Sequence, residues 1–265
     1  MTSVPRLLDL IVRKFETRAR LDDEDRAALR RLPYSERTIE AGRYIAREGD
    51  RTEVATLLVD GLAFRHKVTA EGSRQILSVH VPGDFVDLEN CLLKVADHSV
   101  QALTMCNVAV IPEAAIIELI DSHPRVGRAM WVDTLIDGSI FREWIVNVGR
   151  RDARAGMCHL LCEFARRLEL AGLGSPDGYE MPMSQEQLAD ALGLTPVHVH
   201  RVLKDLDREG LIRREKRHVL IPDWSALRKV AGFNELYLHL DQAAFPHAAS
   251  RGVGRRHADA GLGAP

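Results

Sequence analysis

The run from Ser184 to Lys204 constrains this chain more than any other part of it. Ser184 with Gln187 three residues later predicts a capping box at a helix start; Leu188 and Leu192 fall on one face of that helix, and Ala189 is small where a second helix would cross closely. Gly193 supplies a left-handed turn. Thr195 is placed to cap a second helix beginning at Pro196, where a missing N–H costs nothing. Val199, Val202, Leu203 and Leu206 give that helix an inward stripe. The pattern is a helix-turn-helix whose outer face is left to Val197, His198, Arg201 and Lys204. A helical hairpin in a protein core also has caps and apolar stripes, but rarely this order of Ala, Gly, cap, Pro and inward Val.

The residues that follow extend the motif. Gly210 ends the second helix, and Leu211 to Arg214 and Val219 to Ile221 read as two short strands around Glu215-Lys216-Arg217-His218, a winged arrangement with a basic tip. The formal charge of the 265-residue chain is −2, which taken as one uniform surface would argue against a nucleic-acid partner. The charge is not uniform. From Pro196 to His218, Arg201, Lys204, Arg208, Arg213, Arg214, Lys216 and Arg217 outweigh Asp205, Asp207, Glu209 and Glu215, so the positive excess lies where the motif would meet phosphates.

Elsewhere the periodicity changes twice. Two short amphipathic patterns precede Pro33. From Thr38 to Pro112 the period is two, with short strands at Thr56–Val59, Leu62–Val68, Gln75–Val81 and Val108–Ile111 separated by Gly or Asp turns, as in a small β-barrel or jelly roll. Helical patterns follow over Glu113–Ile120, Pro124–Val148 and Ala155–Ala171. No apolar run approaches the roughly 18 residues of a membrane span, and Met1 to Arg6 do not read as a cleavable leader, so a cytoplasmic protein without a membrane partner is expected. The Ala-, Gly-, Arg- and His-rich end has few apolar anchors and reads as a disordered tail.

Gly42-Arg43-Tyr44-Ile45-Ala46-Arg47-Glu48-Gly49-Asp50, Val59-Asp60-Gly61-Leu62, Val81-Pro82-Gly83-Asp84-Phe85 and the winged region from Met183 are together similar to the Crp/Fnr family of bacterial transcription regulators. The resemblance covers about residues 15–240. It implies an α+β fold with an N-terminal cyclic-nucleotide-binding-like β-barrel (jelly roll), a long dimerisation helix and a C-terminal winged helix-turn-helix. The expected divisions are 1–123 for the N-terminal helices and sensor barrel, 124–149 for the dimerisation helix, 150–240 for the DNA-binding domain and 241–265 for the tail. The implied partners are double-stranded DNA, a second copy of the chain and RNA polymerase. Met130, Trp131, Trp144 and Ile145 on the long helix supply the apolar surface a homodimer would bury.

In family members that bind cyclic nucleotides, a Gly-Glu pair holds the ribose and an Arg-Ser or Arg-Thr pair clamps the cyclic phosphate. Aligning Val100-Gln101-Ala102 with the strand after the clamp puts Ala96 and Asp97 at the phosphate pair. A carboxylate repels an anion and the guanidinium fork is missing, leaving only Lys94 and His98 nearby, so DNA binding without cyclic nucleotide is expected and the effector is left unidentified. The alternative is a regulatory module whose DNA binding depends on an effector, or whose winged domain binds protein.

Other sensor chemistries fit less well. Iron–sulfur sensing needs four thiolates, usually with three near the N-terminus, whereas Cys91, Cys106, Cys158 and Cys162 all lie later. Cys158 and Cys162 read as small buried helix residues, with a thiol switch as the alternative. His66, His80 and His98 stand singly among strands, and His198 and His200 diverge on their helix, so no metal or cofactor is expected. No nucleophile elbow, phosphate loop or dinucleotide fingerprint is present, and catalysis is not expected.

The resemblance assigns base reading to the second helix. Many relatives carry Glu two residues before the inward Val and Arg two after it, reading a G·C step. Here the Glu position is Val197, while Arg201 is retained. Val197 can touch a thymine methyl but cannot accept from cytosine. Thr195, Pro196, His198, Lys204, Lys216 and Arg217 complete the expected DNA-binding set, with Thr195, His198, Lys216 and Arg217 suited to phosphates.

Overall fold

The computed structural model describes residues 7–243 apart from 176 and 241. The expectations for residues 1–6 and for 244–265 lie outside the described residues.

Two short helices open the chain. α1, Asp9–Glu16, buries Ile11, Val12 and Phe15 on one side. α2, Asp23–Arg30, begins with a capping box in which Asp22 and Asp25 each accept the other's backbone N–H.

Seven strands follow: β1 Ser35–Ile39, β2 Tyr44–Ala46, β3 Val54–Asp60, β4 Ala63–Val68, β5 Arg74–His80, β6 Ser99–Ala102 and β7 Cys106–Pro112. They form a three-stranded sheet in the order β1-β7-β3 and a four-stranded sheet in the order β2-β6-β4-β5, all antiparallel. This is the expected jelly-roll layout, built as two sheets. Leu58, Val86, Val100, Ala102, Cys106 and Val108 pack in one core cluster drawn from both. The β3–β4 turn depends on Gly61. Its φ is +84°, and a Cβ there would lie 2.2 Å from the Met105 carbonyl oxygen.

The single-turn helix α3, Asn90–Leu93, interrupts the strands, and α4, Glu113–Ser122, leaves them. α5 runs from Pro124 to Gly149, matching the expected long helix. Its expected apolar face needs correcting. Met130 and Trp144 are buried within the chain, whereas Trp131, Leu135, Ile145 and Val148 are exposed, because the helix packs one side on the sensor and winged units and leaves the other bare.

α6, Ala153–Leu170, is capped by Asp152, which accepts from the Ala155 N–H at 2.8 Å. A small hairpin, β8 Gly174–Ser175 and β9 Gly178–Glu180, comes next; no sequence signal marks it. α7 Gln185–Leu192, α8 Pro196–Arg208, β10 Arg213–Glu215, β11 His218–Leu220 and α9 Trp224–Ala231 complete the C-terminal unit. β9 pairs with β11, so the wing is part of a four-stranded sheet ordered β10-β11-β9-β8. The chain then returns to the sensor unit. Arg18 donates to the His239 carbonyl, and the N–H groups of Gln242 and Ala243 reach the Thr17 carbonyl, so the first described residues of the expected tail are anchored to the turn that follows α1.

Among the described residues, no helix is long and apolar enough to cross a membrane.

Candidate nucleic-acid interface

Each local cause read from the Ser184–Lys204 run has its counterpart in the structure. Ser184 and Gln187 form the reciprocal capping box of α7, and Gly193 ends it at φ +65°. Thr195 caps α8 by accepting from the His198 N–H at 3.2 Å, with Pro196 at the first helical position. Val199, Val202, Leu203 and Leu206 are buried against the unit's core. Pro196, Val197, Arg201 and Lys204 are exposed, as are Lys216 and Arg217 on the wing, while Thr195 and His198 stand beside them at the start of α8.

The wing is tighter than its sequence pattern indicates. Three-residue strands leave only Lys216 and Arg217 at the tip, with Lys216 in the left-handed region at φ +56°. Leu211 and Ile212 fall outside the strands. Ile212 instead turns into the core, fully buried.

The electrostatics of this face set it apart. Lys14, Arg18, Arg65, Arg74 and Arg167 are each ion-paired with a carboxylate elsewhere in the chain. Among the described residues, Arg201, Lys204, Arg213, Arg214, Lys216 and Arg217 make no ion pair, and all six are exposed. Arg208 is held by Asp205 at 2.9 Å. The α8 face and the wing therefore present uncompensated positive charge on two elements of one unit, the arrangement that attracts a polyanion.

Residues 36–123 match the cyclic nucleotide-binding domain family and residues 157–230 the Crp-like helix-turn-helix domain family. The chain is 31% identical over 235 residues to the transcriptional activator protein FnrL of Cereibacter sphaeroides, covering 87% of this chain and 94% of that one. The chain belongs to the Crp/Fnr family. The nitrogen fixation regulation protein FixK of Bradyrhizobium diazoefficiens is 30% identical over 191 residues, 71% of this chain and 79% of that one. The structure of FixK2 from Bradyrhizobium japonicum has the same fold, with a TM-score of 0.69 at 24% identity over 75% of this chain and 98% of that one. This Crp/Fnr chain is a DNA-binding transcription regulator.

Between the sensor sheets and α5 lies a cavity of about 600 Å³. At the positions that the sequence aligns with a phosphate clamp, Ala96 is buried and Asp97 carries its carboxylate beside His98 Nδ1 at 2.6 Å. The hydrogen bond from His98 holds the Asp97 carboxyl below its usual range. Both residues that could replace the clamp are occupied. Lys94 is turned to Glu113, with which it is ion-paired, and His98 is held between Asp97 and Glu89. Asp87 is also engaged, accepting from the Thr56 N–H and hydroxyl at 2.6 and 2.8 Å. Burial pushes its carboxyl up to about 7.

Several contacts tie the sensor to the winged unit. Arg74 on β5 reaches Asp190 on α7 at 2.7 Å, and Gln75 donates to the Ala191 carbonyl. Asp84, in the Gly83-Asp84 turn, accepts from Lys14 of α1 at 2.8 Å and Arg167 of α6 at 3.1 Å. Burial pushes the Asp84 carboxyl up, but Lys14, the largest of the opposing influences, and its other partners hold it well below the usual carboxylate range.

Cys91, Cys106, Cys158 and Cys162 are all buried free thiols. Burial pushes the thiols of Cys91 and Cys158 up to about 12, away from the thiolate a redox switch requires. His66, His80 and His98 are buried.

The residues that sequence reasoning overlooks are those of the cavity, above all Arg65, Glu89 and Asp137. Arg65 leaves a signal, since it is a charged residue within the otherwise apolar start of β4. Asp137 leaves none, because a single Asp on a long helix is ordinarily solvated.

Proposed function

We propose that the chain acts as a homodimer that binds a two-fold symmetric operator with α8 in the major groove, and that it does so without cyclic nucleotide. The observation that carries this reading is the set of unpaired cations shared by α8 and the wing. Arg201 is suited to a bidentate guanine contact and Val197 to a thymine methyl, Thr195, His198, Lys216 and Arg217 to phosphates, and Pro196 and Lys204 complete the DNA-facing surface.

Dimerisation through α5 is supported by the exposed stripe of Trp131, Leu135 and Ile145. Independence from cyclic nucleotide is supported by Asp97 at the phosphate position and by the engagement of Lys94 and His98 with carboxylates. We further infer that the chain regulates through RNA polymerase, has no catalytic activity, and works in the cytoplasm without a membrane partner.

Gel shifts on the chain's own promoter, with and without cyclic AMP or cyclic GMP, test this reading. The expected result is a shift that neither nucleotide alters. A shift that appears only with one of them would reinstate the cyclic-nucleotide reading. Absence of any sequence-specific shift, with capture of a protein by the winged unit, would favour the protein-binding alternative.

A further inference from the structure

The charges lining the cavity beneath α5 can be matched one against another. Arg65 is buried on β4, with Nη2 donating to Glu89 at 2.9 Å and to the Val86 carbonyl at 3.2 Å. Lys67 is paired with Glu48 at 2.9 Å, and His98 with Asp97 at 2.6 Å. On α5, Asp133 is held by Lys14 at 2.6 Å and Arg18 at 3.1 Å. One carboxylate is only weakly served. Asp137 faces the cavity with no hydrogen bond among the described residues; its nearest cation is Arg65 Nη1, 3.7 Å away and already committed to Glu89 through Nη2. Gln75 and Thr134 add neutral polar groups, and Phe85, Leu88, Phe141 and Trp144 supply the apolar part of the wall.

We propose that this cavity binds a small organic cation, an amine carried on an aromatic or aliphatic body, with Asp137 as its counter-ion. The inference deepens the regulator reading above, on which it rests for the consequence of binding. Arg65 is the one guanidinium facing both Glu89 and Asp137, and it reaches Asp137 only at 3.7 Å, so an ammonium group entering here gains a carboxylate that its existing partner serves weakly. The apolar wall takes the body of the ligand, and an amine close to an aromatic face gains cation–π attraction as well. Burial pushes the Asp137 carboxyl up to about 6, so the counter-ion is present at neutral pH and is titrated away in mild acid. The site has a mechanical outlet. Trp144 lines the cavity while its indole N–H is bonded to Glu163 on α6 of the winged unit.

Titration calorimetry of the full chain with tryptamine, indole-3-propionate and cyclic AMP tests the proposal. The first two carry the same ring system on the same two-carbon arm but opposite charge. Tryptamine is expected to bind at one site per chain and at least about tenfold more tightly than indole-3-propionate. Asp137→Asn should abolish that preference, Asp137→Glu should keep it, and tryptamine affinity should fall as the pH drops below 6. Equal or tighter binding of indole-3-propionate or cyclic AMP would overturn the proposal. So would an amine preference that survives in Asp137→Asn, or the absence of saturable tryptamine binding up to about 10 mM. A gel shift by the unliganded protein is scored separately, so failure of the cavity proposal and failure of the regulator reading are distinguishable.

Discussion

The indole N–H of Trp144 donates to both carboxylate oxygens of Glu163, at 3.0 and 3.1 Å, and so bonds the long helix α5 to helix α6 of the winged unit. The Tyr237 hydroxyl donates to the same carboxylate at 2.8 Å, and the Arg167 guanidinium lies 3.7 Å away. Glu163→Ala would leave the indole and phenol donors buried without an acceptor. We expect it to destabilise the fold by about 2–4 kcal/mol. Glu163→Gln keeps an acceptor oxygen and should cost about half as much. Urea unfolding of the two variants beside the wild type checks the order. Equal stability of Glu163→Ala and wild type would mean that this carboxylate does not hold the units together.

His80 sets an acid limit. Burial pushes its imidazole down to about 4, although Asp84, 3.7 Å away, opposes the shift. The folded chain therefore takes up this proton less readily than the unfolded chain, whose histidine titrates near pH 6.5. The neutral histidine's contribution is complete above about pH 6.5 and is lost as the pH falls towards 4, by as much as about 3 kcal/mol. His80→Phe should flatten the acid limb of stability between pH 6.5 and 4. An unchanged slope in that variant would assign the limb to other groups.

The bare stripe on α5 predicts an oligomeric state. Ile145 is 69% exposed in the single chain, and Trp131, nearer the start of the helix, is 68% exposed. Light scattering at micromolar concentration should give twice the chain mass. Ile145→Asp should give the chain mass and weaken operator binding at least about tenfold, since a dimer engages two half-sites together. A monomeric wild type that binds DNA tightly would contradict the α5 interface.

Arg201 and Lys216 should fail in different ways. Arg201→Ala is expected to weaken specific binding by about 1–3 kcal/mol and to relax preference at one position per half-site. Lys216→Ala should weaken binding to all sequences alike and reduce the salt slope by about one unit, as removal of a single phosphate-neutralising cation requires. Binding measured over a salt series on matched and mismatched operators separates the two. Identical specificity profiles would remove the distinction between base reading and phosphate neutralisation.

The helix-turn-helix was legible to the residue, because caps, a left-handed glycine and an inward stripe are local features whose causes lie within a few residues of each other. The long helix was legible in extent, but not in which apolar residues it leaves bare. That depends on packing against elements distant in sequence, which buries Met130 and Trp144 and spares Leu135. The β8–β9 hairpin escapes sequence reading because its strands are too short to show alternation, and β9 is fixed mainly by pairing with β11. The cavity is invisible for the same kind of reason. Arg65, Glu89 and Asp137 come together only when β4, the segment before α3 and α5 are assembled, and no spacing in the sequence records the residual charge of Asp137.

Selection from a random double-stranded DNA library by the purified full chain, without added nucleotide, tests the central claim most directly. The predicted result is enrichment of an inverted repeat whose half-site centres lie about one helical turn apart, with Arg201→Ala losing preference at one symmetry-related pair of positions. Enrichment of no sequence, of a site without two-fold symmetry, or of a repeat recovered only when cyclic AMP or cyclic GMP is supplied would contradict it.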